Sequence, residues 1–67
     1  MYPNLRAEMA RAGMTAATLS KLMRISNPTL ANKLNGKRDF SLEEARIIKK
    51  ILKCDVPIEE LFQRDGV

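Results

Sequence analysis

Helix punctuation divides this 67-residue chain into segments too short for anything but short helices. Gly13 and Asn35-Gly36 read as stops, because a residue free to take positive φ closes a helix. Thr15, Ser26 and Ser41 read as starts, since their hydroxyls accept from the first unpaired amides of a helix. Pro28 and Pro57 suit a first turn, where a missing N–H costs nothing. Between these marks apolar residues recur at helical spacing, and the alternation that marks strands is absent. The chain therefore reads as all-α, a compact bundle of five short helices forming one domain over residues 1–67.

The first helix is expected from about Asn4 to Ala12, with Leu5 and Met9 one turn apart on its inner face. Thr15 caps the second, whose apolar positions are Leu19, Leu22 and Met23. After the turn Arg24-Ile25-Ser26 comes the third helix, capped by Ser26 or by Asn27, with Leu30 and Leu34 as its buried stripe. Ser41-Leu42-Glu43-Glu44 is a capping box opening a fourth helix through about Lys53, with Ala45, Ile48, Ile51 and Leu52 as core candidates. The chain breaks at Asp55 or its neighbour, and Pro57 starts a fifth helix carrying Leu61 and Phe62. Met9, Met14 and Met23 read as adaptable core filler.

Composition narrows the chemistry. Cys54 is the only cysteine and there is no histidine, which excludes a disulfide scaffold and leaves nothing from which to build a structural zinc site. Cys54 itself reads as a small buried apolar residue. Without a histidine base or paired carboxylates, catalysis is poorly provisioned, so neither an enzyme nor a cofactor is expected. The start Met1-Tyr2-Pro3-Asn4 has no leader-like character, and no apolar run approaches a membrane span. The expectation is a cytoplasmic protein with no membrane partner and no small-molecule ligand.

The position of the charge is more informative than its total. Residues 1–8 are neutral, with Arg6 offsetting Glu8. From Met9 to Arg38 there is no Asp or Glu, but Arg11, Lys21, Arg24, Lys33, Lys37 and Arg38 are all present. Residues 39–67 are net acidic. The acid-free block coincides with the second and third helices, and such a face suits phosphates.

The run Met14-Thr15, Leu19-Ser20, Met23-Arg24-Ile25-Ser26, Thr29-Leu30, Asn35-Gly36-Lys37-Arg38, Ser41-Leu42-Glu43 and Glu60-Leu61-Phe62 resembles the lambda-repressor/Cro-like helix-turn-helix family (XRE family), over roughly residues 4–62. The closest likeness is to short phage or prophage members. The resemblance implies a third helix lying in the major groove of double-stranded DNA, with the second packed across it. It also matches Ser20 to the small residue where the two helices cross. The chain departs from the family in three places. Ala16-Ala17 stand where Gln or another phosphate-reaching residue is usual, Arg24 stands at a turn position commonly held by Gly, and Lys33 replaces a frequent apolar residue.

With Leu30 and Leu34 facing inward, Asn27, Pro28, Ala31 and Asn32 fall on the outer side of the third helix. Asn32 can pair with adenine N6 and N7 and is the first choice for base readout, with Asn27 second. Pro28 and Ala31 can touch thymine methyls. Lys21, Arg24, Thr29, Lys33, Asn35, Lys37 and Arg38 are the candidates for phosphate contact. Each also has a plainer reading: Asn27 as a cap, Asn35-Gly36 as a helix stop, Lys37 and Arg38 as solvated charges. The functional expectation is a sequence-specific transcription regulator, a repressor from a phage, prophage or bacterial host. It would act as a weak homodimer for which Ile58, Leu61 and Phe62 are contact candidates, although Leu61 and Phe62 equally suit the monomer's own core. The alternative is a helix-turn-helix module repurposed to bind a host regulator or polymerase.

Overall fold

Proline placement and capping set the helix boundaries. A computed structural model describes residues 1–64, in which α1 (Pro3–Arg11), α2 (Ala16–Met23), α3 (Asn27–Leu34), α4 (Leu42–Leu52) and α5 (Ile58–Leu61) follow one another. Among the described residues there is no strand, and no helix is long and apolar enough to cross a membrane. Asp65, counted above in the acidic segment, lies outside them.

Three helices end in the same way. Met14 N–H donates to Met9 O at 2.8 Å, Ile25 N–H to Ser20 O at 3.0 Å and Lys37 N–H to Asn32 O at 2.9 Å. In each case the preceding residue, Gly13, Arg24 or Gly36, has positive φ and donates to the carbonyl three residues back. These are Schellman closures, which satisfy carbonyls that the helix itself leaves unpaired. Lys53 ends α4 at φ 52°, so the break comes earlier than Asp55.

Ser26 is the cap of α3, and this resolves the choice between Ser26 and Asn27; Pro28 sits in its first turn. The core gathers Tyr2, Leu5, Met9, Leu19, Leu30, Leu34, Ile48, Leu52, Cys54 and Leu61. Met14, Met23 and Ile51 pack against it while remaining partly exposed. Full burial of each leucine or isoleucine contributes about 1.5–3 kcal/mol. Leu22 departs from expectation, at 54% exposed. The inner stripe of α2 runs through Ala16, Leu19, Ser20 and Met23, and Leu22 lies 100° behind Met23 on the helix, past the edge of that stripe.

The chain's only aromatic residues, Tyr2, Phe40 and Phe62, converge in one cluster. Their rings meet edge to face, with centroids 5.4 Å apart for Tyr2 and Phe40, 6.0 Å for Tyr2 and Phe62, and 5.1 Å for Phe40 and Phe62. Such pairs contribute about 0.5–1.5 kcal/mol each beyond area burial. Leu61 is fully buried and Phe62 belongs to this cluster, so of the three residues expected at a dimer contact, two close the monomer's own core.

A carboxylate joins α3 to α4. Ser41 Oγ accepts from Glu44 N–H at 3.1 Å, and Glu44 Oε1 accepts from Ser41 N–H at 2.8 Å and from Lys33 Nζ at 2.9 Å. Partial burial pushes the Glu44 carboxyl up, but the Ser41 amide, the Lys33 ammonium and the Ser41 hydroxyl outweigh it and hold the group below its ordinary value of 4.5. A carboxyl depressed in the folded state stabilises the fold above its unfolded pKa, and that contribution is lost as pH falls through the folded value. Glu44→Gln should therefore cost about 1–2 kcal/mol at neutral pH. In acid titrations followed by circular dichroism, its stability should converge with that of the native chain below the ordinary carboxylate range.

Candidate nucleic-acid interface

The two helices of the acid-free block start without charge. Thr15 Oγ1 accepts from Thr18 N–H at 3.1 Å, and the two hydroxyls bond one another at 3.0 Å. The start of α3 repeats this, with Ser26 Oγ accepting from Thr29 N–H at 3.2 Å and the hydroxyls 2.7 Å apart. Threonine thus takes the place that Glu44 takes in α4. The positive ends of the α2 and α3 dipoles remain unquenched, whereas Glu43 and Glu44 occupy the first turn of α4. Unquenched N-termini lined with hydroxyls favour phosphate oxygens. The sequence reading has Thr15 as a cap but gives neither it nor Thr18 a place among the phosphate candidates. Their signal is the paired spacing Thr15-x-x-Thr18 and Ser26-x-x-Thr29, set against Ser41-x-x-Glu44.

On α3, Leu30 and Leu34 are buried, Asn27 and Pro28 are exposed, and Ala31 and Asn32 are half-buried. The four base-reading candidates therefore lie outside the buried stripe. Among the described residues the side-chain amides of Asn27 and Asn32 make no hydrogen bond, which leaves their donors and acceptors free for base edges. Lys21, Arg24, Lys37 and Arg38 are exposed and make no ion pair within the described residues.

Three phosphate candidates are already engaged. Lys33 turns inward: its side chain is only 13% exposed, its ammonium bridges Glu44 and donates to Asp39 O at 3.2 Å, and it lies 5.9 Å above the Phe40 ring. Its methylene stem covers the apolar position that the resemblance assigns to residue 33, and only the head needs a polar partner. Lys33 therefore leaves the phosphate set. Asn35 Oδ1 accepts from Arg6 Nη2 at 3.1 Å, and the Thr29 hydroxyl is shared with Ser26. Arg6 also reaches Leu34 O at 3.4 Å, placing a cation at the carboxyl end of α3; it is Arg11, not Arg6, that pairs with Glu8.

Of the acids that follow the block in sequence, Glu44 is paired with Lys33 and Asp39 with Arg64. What remains is a helix-turn-helix with free cations at its edges and unpaired amides along its outer helix. A family model for the Cro/C1-type helix-turn-helix DNA-binding domain matches residues 4–65. The chain belongs to that family. No curated protein and no solved structure matches it. As a Cro/C1-type domain it is a DNA-binding module, with α2 and α3 forming the helix-turn-helix.

Arg24 carries a backbone cost that the glycines at the other helix ends do not. It holds φ 60° and ψ 39°, a conformation that costs a non-glycine residue about 1–2 kcal/mol, where Gly13 and Gly36 close the neighbouring helices at no such cost. Arg24→Gly should raise the thermal midpoint, by roughly 1 kcal/mol of stability, while weakening duplex binding through loss of an exposed cation. A melting curve and a fluorescence-anisotropy titration on one preparation would check both signs.

Proposed function

We propose that this domain is a sequence-specific transcription regulator of a phage, prophage or bacterial host, acting as a repressor in the cytoplasm. In this reading α3 lies in the major groove, Asn32 and Asn27 read adenines, and Pro28 and Ala31 meet thymine methyls. Lys21, Arg24, Lys37 and Arg38, together with the hydroxyl-capped starts of α2 and α3, hold the phosphates on either side. The observation that carries the reading is the pair of unbonded asparagine amides on the outer face of an acid-free recognition helix. Repression follows because a protein seated on a promoter blocks polymerase by occupancy alone.

One such helix reads one half-site, and phosphate contacts alone hold non-specific duplexes only to about 10⁻⁴–10⁻⁶ M. Useful specificity therefore calls for two copies on an inverted repeat. Selection of bound duplexes from a random pool should enrich such a repeat. No enrichment at low salt would overturn the reading and favour a protein target for the same face. Asn32→Ala should erase the preference at one base position of each half-site while leaving non-specific affinity in place. Lys37→Ala and Arg38→Ala should weaken all sequences alike, each lowering the salt-dependence slope by about one.

A further inference from the structure

Four cations that base reading does not use lie together on α4. Arg46 and Lys50 stand one turn apart on its exposed side, Lys49 lies beside them, and Lys53 is the C-cap of the helix. With Cys54, Asp55 and Ile58 they line a groove of about 600 Å³. None of the four has an ion pair among the described residues, whose ion pairs are Arg11 with Glu8, Lys33 with Glu44 and Arg64 with Asp39. Lysines in a last helical turn complement the dipole, but the negative end of a helix carries only about half a charge. Arg46 sits in mid-helix and gains nothing from it. With Asp55 and the dipole both subtracted, the groove keeps a positive excess.

The groove does not share a face with α3. Glu44 marks the side of α4 turned toward α3, since it bonds Lys33. At 3.6 residues per turn, Arg46 lies about 160° and Lys50 about 120° around the α4 axis from Glu44. A straight duplex seated on the outer face of α3 therefore leaves the groove uncovered. The lining also selects the partner. Its apolar members are Cys54, which is buried, and Ile58, which is half-buried, so a protein partner finds little in which to anchor an apolar side chain. A phosphate backbone needs no such anchor. From Arg46 to Lys53 the row is about 10 Å long at 1.5 Å per residue. That is the axial run of about three phosphates in one strand of a duplex.

We propose that this groove is a second phosphate-binding surface, which takes the backbone of another segment of double-stranded DNA, so that one copy of the chain joins two duplexes. The proposal goes beyond the regulator reading given above and rests on it only for the duplex held by α3. Contact in the groove is independent of sequence, because it meets phosphates and no base edges. It is weak for a free duplex and falls steeply with salt. A second segment of the same DNA molecule is held close once α3 has engaged the first, and its effective concentration rises accordingly.

Duplex capture supplies the test. A duplex fixed to beads is loaded with the native chain at low salt, and a second, labelled duplex is added. The native chain should capture it, and Arg46→Gln with Lys50→Gln should lower the capture at least about tenfold while leaving the first duplex bound; circular dichroism checks that the variant folds. In a Lys37→Ala, Arg38→Ala background, duplex binding at low salt should persist, and the two glutamines should weaken it at least about tenfold further. On the native chain, saturating duplex should shield Lys50 and Lys53 from acetylation by acetic anhydride, read by mass spectrometry. Failure of the native chain to capture a second duplex would overturn the proposal and leave the groove to an acidic protein. Capture that survives the two glutamines would overturn it too, since the duplexes are then joined through two α3 faces, as would lysines that the duplex leaves unshielded. Binding that depends on Arg46 and Lys50 but not on Lys37 and Arg38 would sink the α3 reading and leave the groove standing.

Discussion

The orientation of α3 depends on one carboxylate oxygen. Glu44 Oε1 accepts at once from the Ser41 amide that starts α4 and from the ammonium of Lys33 in the last turn of α3. An eight-residue helix is too short to hold itself in water, so its position must come from tertiary contacts. Leu30 and Leu34 supply adhesion, which is non-directional. The Lys33 bridge, the Lys33 bond to Asp39 O and the Arg6 bonds to Leu34 O and Asn35 add direction. Because both ends of the bridge are part-buried and shared with backbone groups, the pair fixes a register as well as adding stability.

Charge in this molecule is sorted by the job of each segment. At the start of α4 a glutamate joins the serine cap, whereas at the starts of α2 and α3, in the acid-free block, a second hydroxyl stands in its place. In all three the cap hydroxyl accepts from the amide of the third residue, but only Glu44 reaches back to the backbone N–H of its cap, while Thr18 and Thr29 bond the cap hydroxyl and add no charge. Asp39 and Glu44, which follow the block in sequence, are each paired with a cation.

Much of this was legible because it is local. Thr15, Ser26, Ser41, Gly13 and Gly36 act within a turn of their own position, so the order of the elements and the helix-turn-helix itself can be read from spacing. What could not be read involves partners distant in sequence. Lys33 looked outward because its block contains no acid, and its partner lies eleven residues on, across a loop. Tyr2, Phe40 and Phe62 have no common period, and Arg6 finds Asn35 at a separation of twenty-nine residues. Leu22 was misjudged for a different reason, since an eight-residue helix buries a stripe narrower than its apolar content suggests. For the candidate site, the outer face of α3 followed from its inner face, but the sorting of cations into free and engaged ones required the fold.

The aromatic cluster has a topological consequence. Tyr2 stands before the first helix and Phe62 follows the last, yet their rings touch, and Phe40 from the α3–α4 connection completes the contact. The described chain is therefore nearly a closed ring, with the connection leading out of α3 clamped at the point where the ring shuts. Fraying at either end exposes not a loose terminus but the wall against which that connection rests. Disturbance at either end is thereby transmitted to α3 by packing alone.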